Sequence, residues 1–227
     1  MKCFMKKLTA ALTLLALCCL LFAACGSDPI DPAPVDPDPV PVDPDPVKPD
    51  ERLETMKKNI SAMLPVLDAA ARTVAGGSLT YSGSDSFCFW VTLYNFTSNN
   101  AAGYTGVTTR SDGTLVIPNK AMTDFASACF SSFKGFPAMP EGFNAVHYDA
   151  EADCFYVSAS SLEVAATTDD YEVSGDYYKL TVTLPIGEQP YVLAAVLVDN
   201  VSGSDVYPYS ILSLKLVSRG DGEGEGA

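Results

Sequence analysis

Residues 51–219 predict an α+β domain, with N-terminal helices packed on a C-terminal antiparallel sheet of about four to six strands. Two observations carry this reading. As far as residue 133, apolar residues recur three and four apart, and after Gly142 they recur at every second position. A third observation sets the scale. The 227-residue chain is 48% hydrophobic and 19% charged, enough apolar material to bury a core.

The first helical stretch runs through Leu53, Met56, Ile60, Met63, Leu67, Ala70 and Val74, which share one face. Pro65 removes a backbone donor inside it, so a kink or two short helices are expected. Gly76-Gly77 ends it. Residues 86–98 carry conflicting signals. Alternating Phe87, Phe89, Val91 and Leu93, with high aromatic content, favour a strand, whereas Ser84 or Asp85 as a cap favours a helix, and a helix is expected. Ser111-Asp112-Gly113 is a turn and Thr114–Ile117 a short strand. Pro118 suits the first turn of a helix whose face is Met122, Phe125, Ala126, Cys129, Phe130 and Phe133, closed by Gly135.

Period two then takes over. Val146/Tyr148 and Phe155/Val157 read as a hairpin. Tyr178, Leu180, Val182 and Leu184 alternate with polar or smaller partners. Residues 191–198, YVLAAVLV, are apolar on both faces and suit a central strand, and Leu212, Leu214 and Leu216 alternate to close the sheet. This order of elements resembles the cone-shaped fold of the nuclear transport factor 2-like and cystatin-like group. The resemblance implies helices covering a curved sheet with a concavity.

The chemistry available is sparse. His147 is the one histidine, and no zinc-protease, nucleophile-elbow, phosphate-loop or paired C-x-x-C motif occurs. No cofactor is implied. A hairpin centred on Glu151-Ala152 sets Asp149 opposite Cys154 and His147 opposite Tyr156 on one sheet face, with Val146, Tyr148, Phe155 and Val157 on the other. His147 and Cys154 are then diagonal neighbours at about 7–8 Å, too far for a thiolate–imidazole pair. Asp149, Glu151 and Asp153 alternate as calcium ligands would, but Cys154 and Ser160 stand where an EF-hand needs Gly and Glu. Cys129 reads as a small buried hydrophobe, and Cys88 and Cys154 are the pair open to a disulfide. Exposed aromatics can stack on sugars or peptides, so Trp90, Tyr94, His147 and Tyr156 are the candidate ligand-binding residues.

The segments flanking the domain speak to location. Residues 1–24 read as a signal peptide, with Lys2, Lys6 and Lys7 ahead of an uncharged run from Leu8 to Ala24. Leu21-Phe22-Ala23-Ala24-Cys25 resembles the lipobox of bacterial lipoproteins. That resemblance implies cleavage before Cys25, a diacylglycerol on its sulfur, and a membrane-anchored protein on the extracytoplasmic face. Residues 25–50 then combine the lipidated Cys25 with an Asp/Pro-rich spacer in which PVDPDPV occurs twice, at 34–40 and 41–47. Proline favours polyproline II at about 3.1 Å per residue, a reach of roughly 70 Å for residues 28–50. Residues 220–227, GDGEGEGA, read as a disordered acidic tail.

Charge narrows the partners. The net charge is −14, and −17 once the three leader lysines are removed. A surface so acidic is unsuited to nucleic acid or to anionic lipid. The expected partners are the membrane, through the lipid, and a peptide, a glycan or another envelope protein. A ligand- or protein-binding module is therefore the first expectation. The alternatives are a hydrolase with a site outside known motifs and a structural envelope component. A closed cleft with converging acids or His147 would mark the enzyme, and an aromatic groove without titratable groups would mark the binder.

Overall fold

Pro65 shapes the start of the domain. Its missing N–H and the clash of its ring with the preceding turn stop one α-helix from running through. The computed structural model accordingly has α1 (Glu51–Asn59), a 3-10 turn (Ile60–Met63) and α2 (Leu64–Ala75), with Pro65 in the first turn of α2. The structure describes residues 51–219 apart from 78–79, 188 and 203, so the signal peptide, Cys25, the spacer and the tail lie outside the described residues. Among the described residues no helix is long and apolar enough to cross a membrane.

The ambiguous segment is helical, as α3 (Ser86–Asn100). Asp85 stays extended and its carboxylate accepts from the Cys88 N–H at 2.9 Å, so the cap outweighs the strand propensity of the aromatics. Next come β1 (Thr108–Thr109), β2 (Thr114–Pro118) and α4 (Asn119–Cys129). The sequence carries α4 on to Phe133, but the helix ends four residues sooner. Phe130 turns extended and stacks between Tyr81 and Phe89, with ring centroids 5.0 Å from each, while Ser131 N–H donates to the Ile211 carbonyl. Tertiary packing overrides the helical period there.

The remaining strands are β3 (Val146–Asp149), β4 (Cys154–Ser158), β5 (Thr167–Ser174), β6 (Tyr177–Ile186), β7 (Gln189–Asp199) and β8 (Tyr209–Arg219). All pairings are antiparallel. The fold is α+β, as the periodicities predict. In place of one sheet, however, there are two of four strands each, ordered β1-β2-β4-β3 and β5-β6-β7-β8. We call them the short and long sheets.

The hairpin of β3 and β4 takes the register read from the sequence, His147 opposite Tyr156 and Asp149 opposite Cys154. In the long sheet β7 is central, as its apolar faces suggest. Leu193, Ala195 and Leu197 are buried, while Ala194 on the other face is exposed. The alternation expected of Leu212, Leu214 and Leu216 fails at its first residue. Ser213 pairs with Val196 and Ile211 with Leu197, so Leu212 is an extra residue in a bulge and faces solvent, leaving Ile211 and Leu214 inward. A second bulge turns Val217 outward in the same way.

Helices cover the inner face of the long sheet. α2 packs on β6 and β8, α1 on β5, and α4 on β8. The helix α4 also reaches β2 and β4, and α3 reaches β4, so α4 touches both sheets. Asp68 fixes the chain between the sheets. The residue is 5% exposed, and its carboxylate pairs with Arg72 Nε at 2.6 Å and accepts the Ala165 and Ala166 N–H groups at 2.9 Å each. A buried carboxylate needs such partners to offset its lost hydration.

Candidate functional site

The short sheet owes its inner face to the alternation of the β3–β4 hairpin. Tyr148 and Phe155 are paired across the strands and lie on the helix side, their rings 4.6 Å apart. Phe155 meets Phe136 at 5.0 Å and Trp90 at 6.1 Å, and Trp90 stacks on Phe136 at 5.8 Å. Three rings thus form a packed floor. Tyr148, Pro137 and Met139 wall a cavity of about 310 Å³ above it, with Asn119 at the lip. This volume is at the small end of the range for ligand sites.

Trp90 sits on the first half of α3, 2% exposed, and its Nε1–H donates to the Pro137 carbonyl at 3.2 Å. That bond ties the loop 130–145 to the helix and holds Phe136 against the indole. The lip is polar and fixed. Asp153, at φ +50° in the hairpin turn, accepts on one carboxylate oxygen from both Asn119 Nδ2 (2.8 Å) and the Tyr148 hydroxyl (2.7 Å). The Asn119 backbone N–H also donates to the Asp153 carbonyl at 3.0 Å. The hydrogen bond from Asn119, followed by that from Tyr148, holds the Asp153 carboxyl below the usual range. In return the bond to Asp153 raises the Tyr148 phenol above its ordinary value. The carboxylate is charged and the phenol protonated at neutral pH, and the groups left to a ligand at the lip are chiefly acceptors.

The four residues singled out from the sequence do not converge. Trp90 forms the cavity floor. Tyr94, one turn further along α3, is half-buried against the core. His147 and Tyr156 lie on the opposite face of the hairpin, ring centroids 6.2 Å apart, with the Arg110 guanidinium 5.0 Å from the Tyr156 ring. His147 is exposed, and Cys154 is its diagonal rather than its direct neighbour. Cys88 and Cys129 are buried and Cys154 half-buried, and none of the three is joined to another by a disulfide. The acidic residues of the turn work separately. Asp149 accepts the Glu151 and Ala152 N–H groups, and Asp153 serves the lip. Among the described residues no three metal-ligating groups come together.

Phe136, Pro137, Met139 and Asn119 are not among the residues singled out from the sequence, and Tyr148 and Phe155 are placed there on a shared face but not as site residues. A signal for them existed. The stretch 130–143, FSSFKGFPAMPEGF, puts four phenylalanines in what is mostly a loop, where solvated residues are the rule. Two other hollows are present among the described residues. One of about 310 Å³ is walled by polar groups including Lys58, Asn59 and Asp205, and one of about 120 Å³ lies by Ser127 and Ser202. The first has no aromatic ring in its lining and the second has Phe130 and Phe133, against four rings around the Trp90 cavity.

Fold and site together define an α+β domain with an aromatic-walled cavity at the end of a small antiparallel sheet. No family model, curated protein or solved structure matches the chain.

Proposed function

We propose that this protein is a membrane-anchored extracytoplasmic lipoprotein, attached through lipid on Cys25. Its domain 51–219 is a ligand- or protein-binding module held off the membrane by the Asp/Pro spacer. The binding half of this reading is carried by the Trp90 cavity. Its floor is three mutually packed rings, which reward a ligand for the water it displaces. Its two polar groups, the Asn119 amide and the Tyr148 hydroxyl, are both committed to Asp153. Among the described residues no histidine or carboxylate lines the cavity, which supports apolar contact and orientation rather than proton transfer. The anchoring half rests on residues 1–27. Two acyl chains at about 0.8 kcal/mol per buried CH₂ hold a protein to a bilayer stably.

Each half has its test. Cys25→Ala should shift the protein from the membrane pellet to the supernatant or leave it unprocessed. Equal labelling of that variant by a palmitate analogue contradicts the anchor. For binding, the full chain and its Tyr148→Lys variant, which sets a cation on the cavity wall, are used to pull down partners from envelope extract. A species retained by the first and lost by the second is expected, and identical captures count against the cavity as the site.

A further inference from the structure

We propose that the cavity takes one apolar side chain of an extended, basic peptide, and that the peptide docks by adding as a fifth strand to the free edge at β3. This rests on the binding-module reading and specifies its ligand.

Four observations lead there. The first is the edge. The strand β3 is the last in its sheet, paired to β4 alone, and among the described residues Val146–Asp149 make no other backbone hydrogen bond. An unpaired row of N–H and C=O groups is a template for another chain.

The second is that the other edges are guarded and this one is not. The strand β1 has two residues. A bulge breaks β5 around Asp170, and two bulges turn Leu212 and Val217 out of β8. Bulges twist an edge away from a partner. The four residues of β3 keep an unbroken register with β4, offering about 13 Å of straight template at roughly 3.3 Å per residue.

The third is alignment between edge and cavity. Tyr148, the third residue of β3, is itself a cavity wall and 40% exposed. Side chains alternate along a strand, so an added residue opposite Tyr148 points to the face that Tyr148 and Phe155 share and lies beside the Tyr148 wall of the cavity. Residues two away on the peptide point the same way, toward the lip.

The fourth is charge. Among the described residues no basic residue lines the cavity, and the Asp153 carboxylate stands next to its lip, bonded to the lining residues Asn119 and Tyr148. Asp149 and Glu151 share the turn that ends the strand. A cationic residue beside the apolar anchor complements this lip, and an acidic one is repelled.

The chain has a single tryptophan, and it is the cavity floor, so its emission reports occupancy directly. The full chain in a zwitterionic lipid nanodisc is titrated with four probes. These are the end-blocked pentapeptide Lys-Thr-Phe-Thr-Lys, the same peptide with glutamates for lysines, the lysine peptide N-methylated at alternate amides, and free phenethylamine. The pentapeptide is palindromic, so either strand direction puts a lysine on the lip side. A saturable shift of Trp90 emission is expected with the lysine peptide. The glutamate and N-methylated peptides and phenethylamine should each bind at least tenfold more weakly. Asp153→Asn, with its fold checked by circular dichroism, should cut the lysine-over-glutamate preference at least fivefold.

If the N-methylated peptide and phenethylamine match the parent, strand addition is overturned while the cavity stands as a site. If the glutamate peptide matches it, the basic character is overturned. If no probe moves Trp90, the whole inference falls, and the binding-module reading is then judged by the Tyr148→Lys capture alone.

Discussion

The two sheets of this domain solve the same packing problem with different materials. The inner face of the long sheet is mostly aliphatic, with Leu180, Val182, Leu184, Leu193, Leu197, Ile211 and Leu214 buried beneath α2 and α4 and one tyrosine pair, Tyr178 and Tyr209, beside them. Branched side chains interdigitate and leave little space between layers. The inner face of the short sheet sets Phe155 against Trp90 and Phe136, whose rings stack and tilt at 5.0–6.1 Å. Rigid rings held at such angles do not close around every gap, and a cavity of about 310 Å³ remains. The edges differ in the same sense, with bulges at both margins of the long sheet and a straight strand at one margin of the short one. On the proposed reading the long sheet is the scaffold and the short sheet is the binding face.

That contrast is broken or upheld first by paired truncations. Leu197→Ala removes a fully buried side chain from the central strand, and by the behaviour of other aliphatic cores should cost about 2–5 kcal/mol. That is a large share of the roughly 5–15 kcal/mol that holds such domains folded. Tyr148→Ala, at a wall open to solvent, should cost a small fraction of this while abolishing any cavity-dependent binding. Urea unfolding of both variants decides it. Equal losses of stability would erase the distinction between scaffold and site.

Asp68 provides the next effect in size, because it joins the strands of the two sheets through the chain segment between β4 and β5. Asp68→Ala leaves the Ala165 and Ala166 N–H groups without their acceptor and Arg72 without its carboxylate. Arg72 is partly exposed and keeps its bond to the Glu163 carbonyl, so the loss should be about 2–3 kcal/mol, under the full value for a buried pair. Hydrogen exchange should accelerate at Ala165 and Ala166 well before it does in β7. Uniform acceleration would mean that the segment has no independent anchor in Asp68.

The parts legible in the sequence are those whose geometry is set locally. Pro65 divides the first helix, Asp85 caps α3, and alternation around Glu151-Ala152 fixes which side chains of the hairpin share a face. The parts that were not legible depend on distant partners. The strand β5, TTDDYEVS, has no apolar alternation, because only one of its edges is paired and much of it is exposed. The bulge at Leu212 keeps Ile211 and Leu214 inward, a demand of the core that no local pattern announces. The end of α4 is set by Phe130 stacking on Tyr81 and Phe89. For the site, Trp90 was recognisable as a single large amphipathic ring. Its companions Phe136 and Met139 come from a loop, where neither period applies, and His147 and Tyr156 fall on the wrong face by the very alternation that orders the hairpin.

The smallest expected effect sharpens the comparison most, because it isolates the lip of the cavity from the packing beneath. Asp153 has a lowered pKa, so its contribution is complete above the unfolded value of about 3.9 and is lost as pH falls through the folded one. Tyr148 has a raised pKa, so its contribution is complete below about 10 and is lost as pH rises through its higher folded value. The lip should hold one arrangement between those limits. The causes can be separated. Asn119→Ala removes the larger of the two hydrogen bonds depressing Asp153, and Tyr148→Phe the smaller. Carboxyl carbon titration by NMR should therefore show Asp153 moving up toward its ordinary value in both variants, further in the first. Because Asp153 is exposed, the long-sheet core should not register either change, and an unaltered Asp153 titration in Asn119→Ala would show that the lip is ordered by something other than this carboxylate.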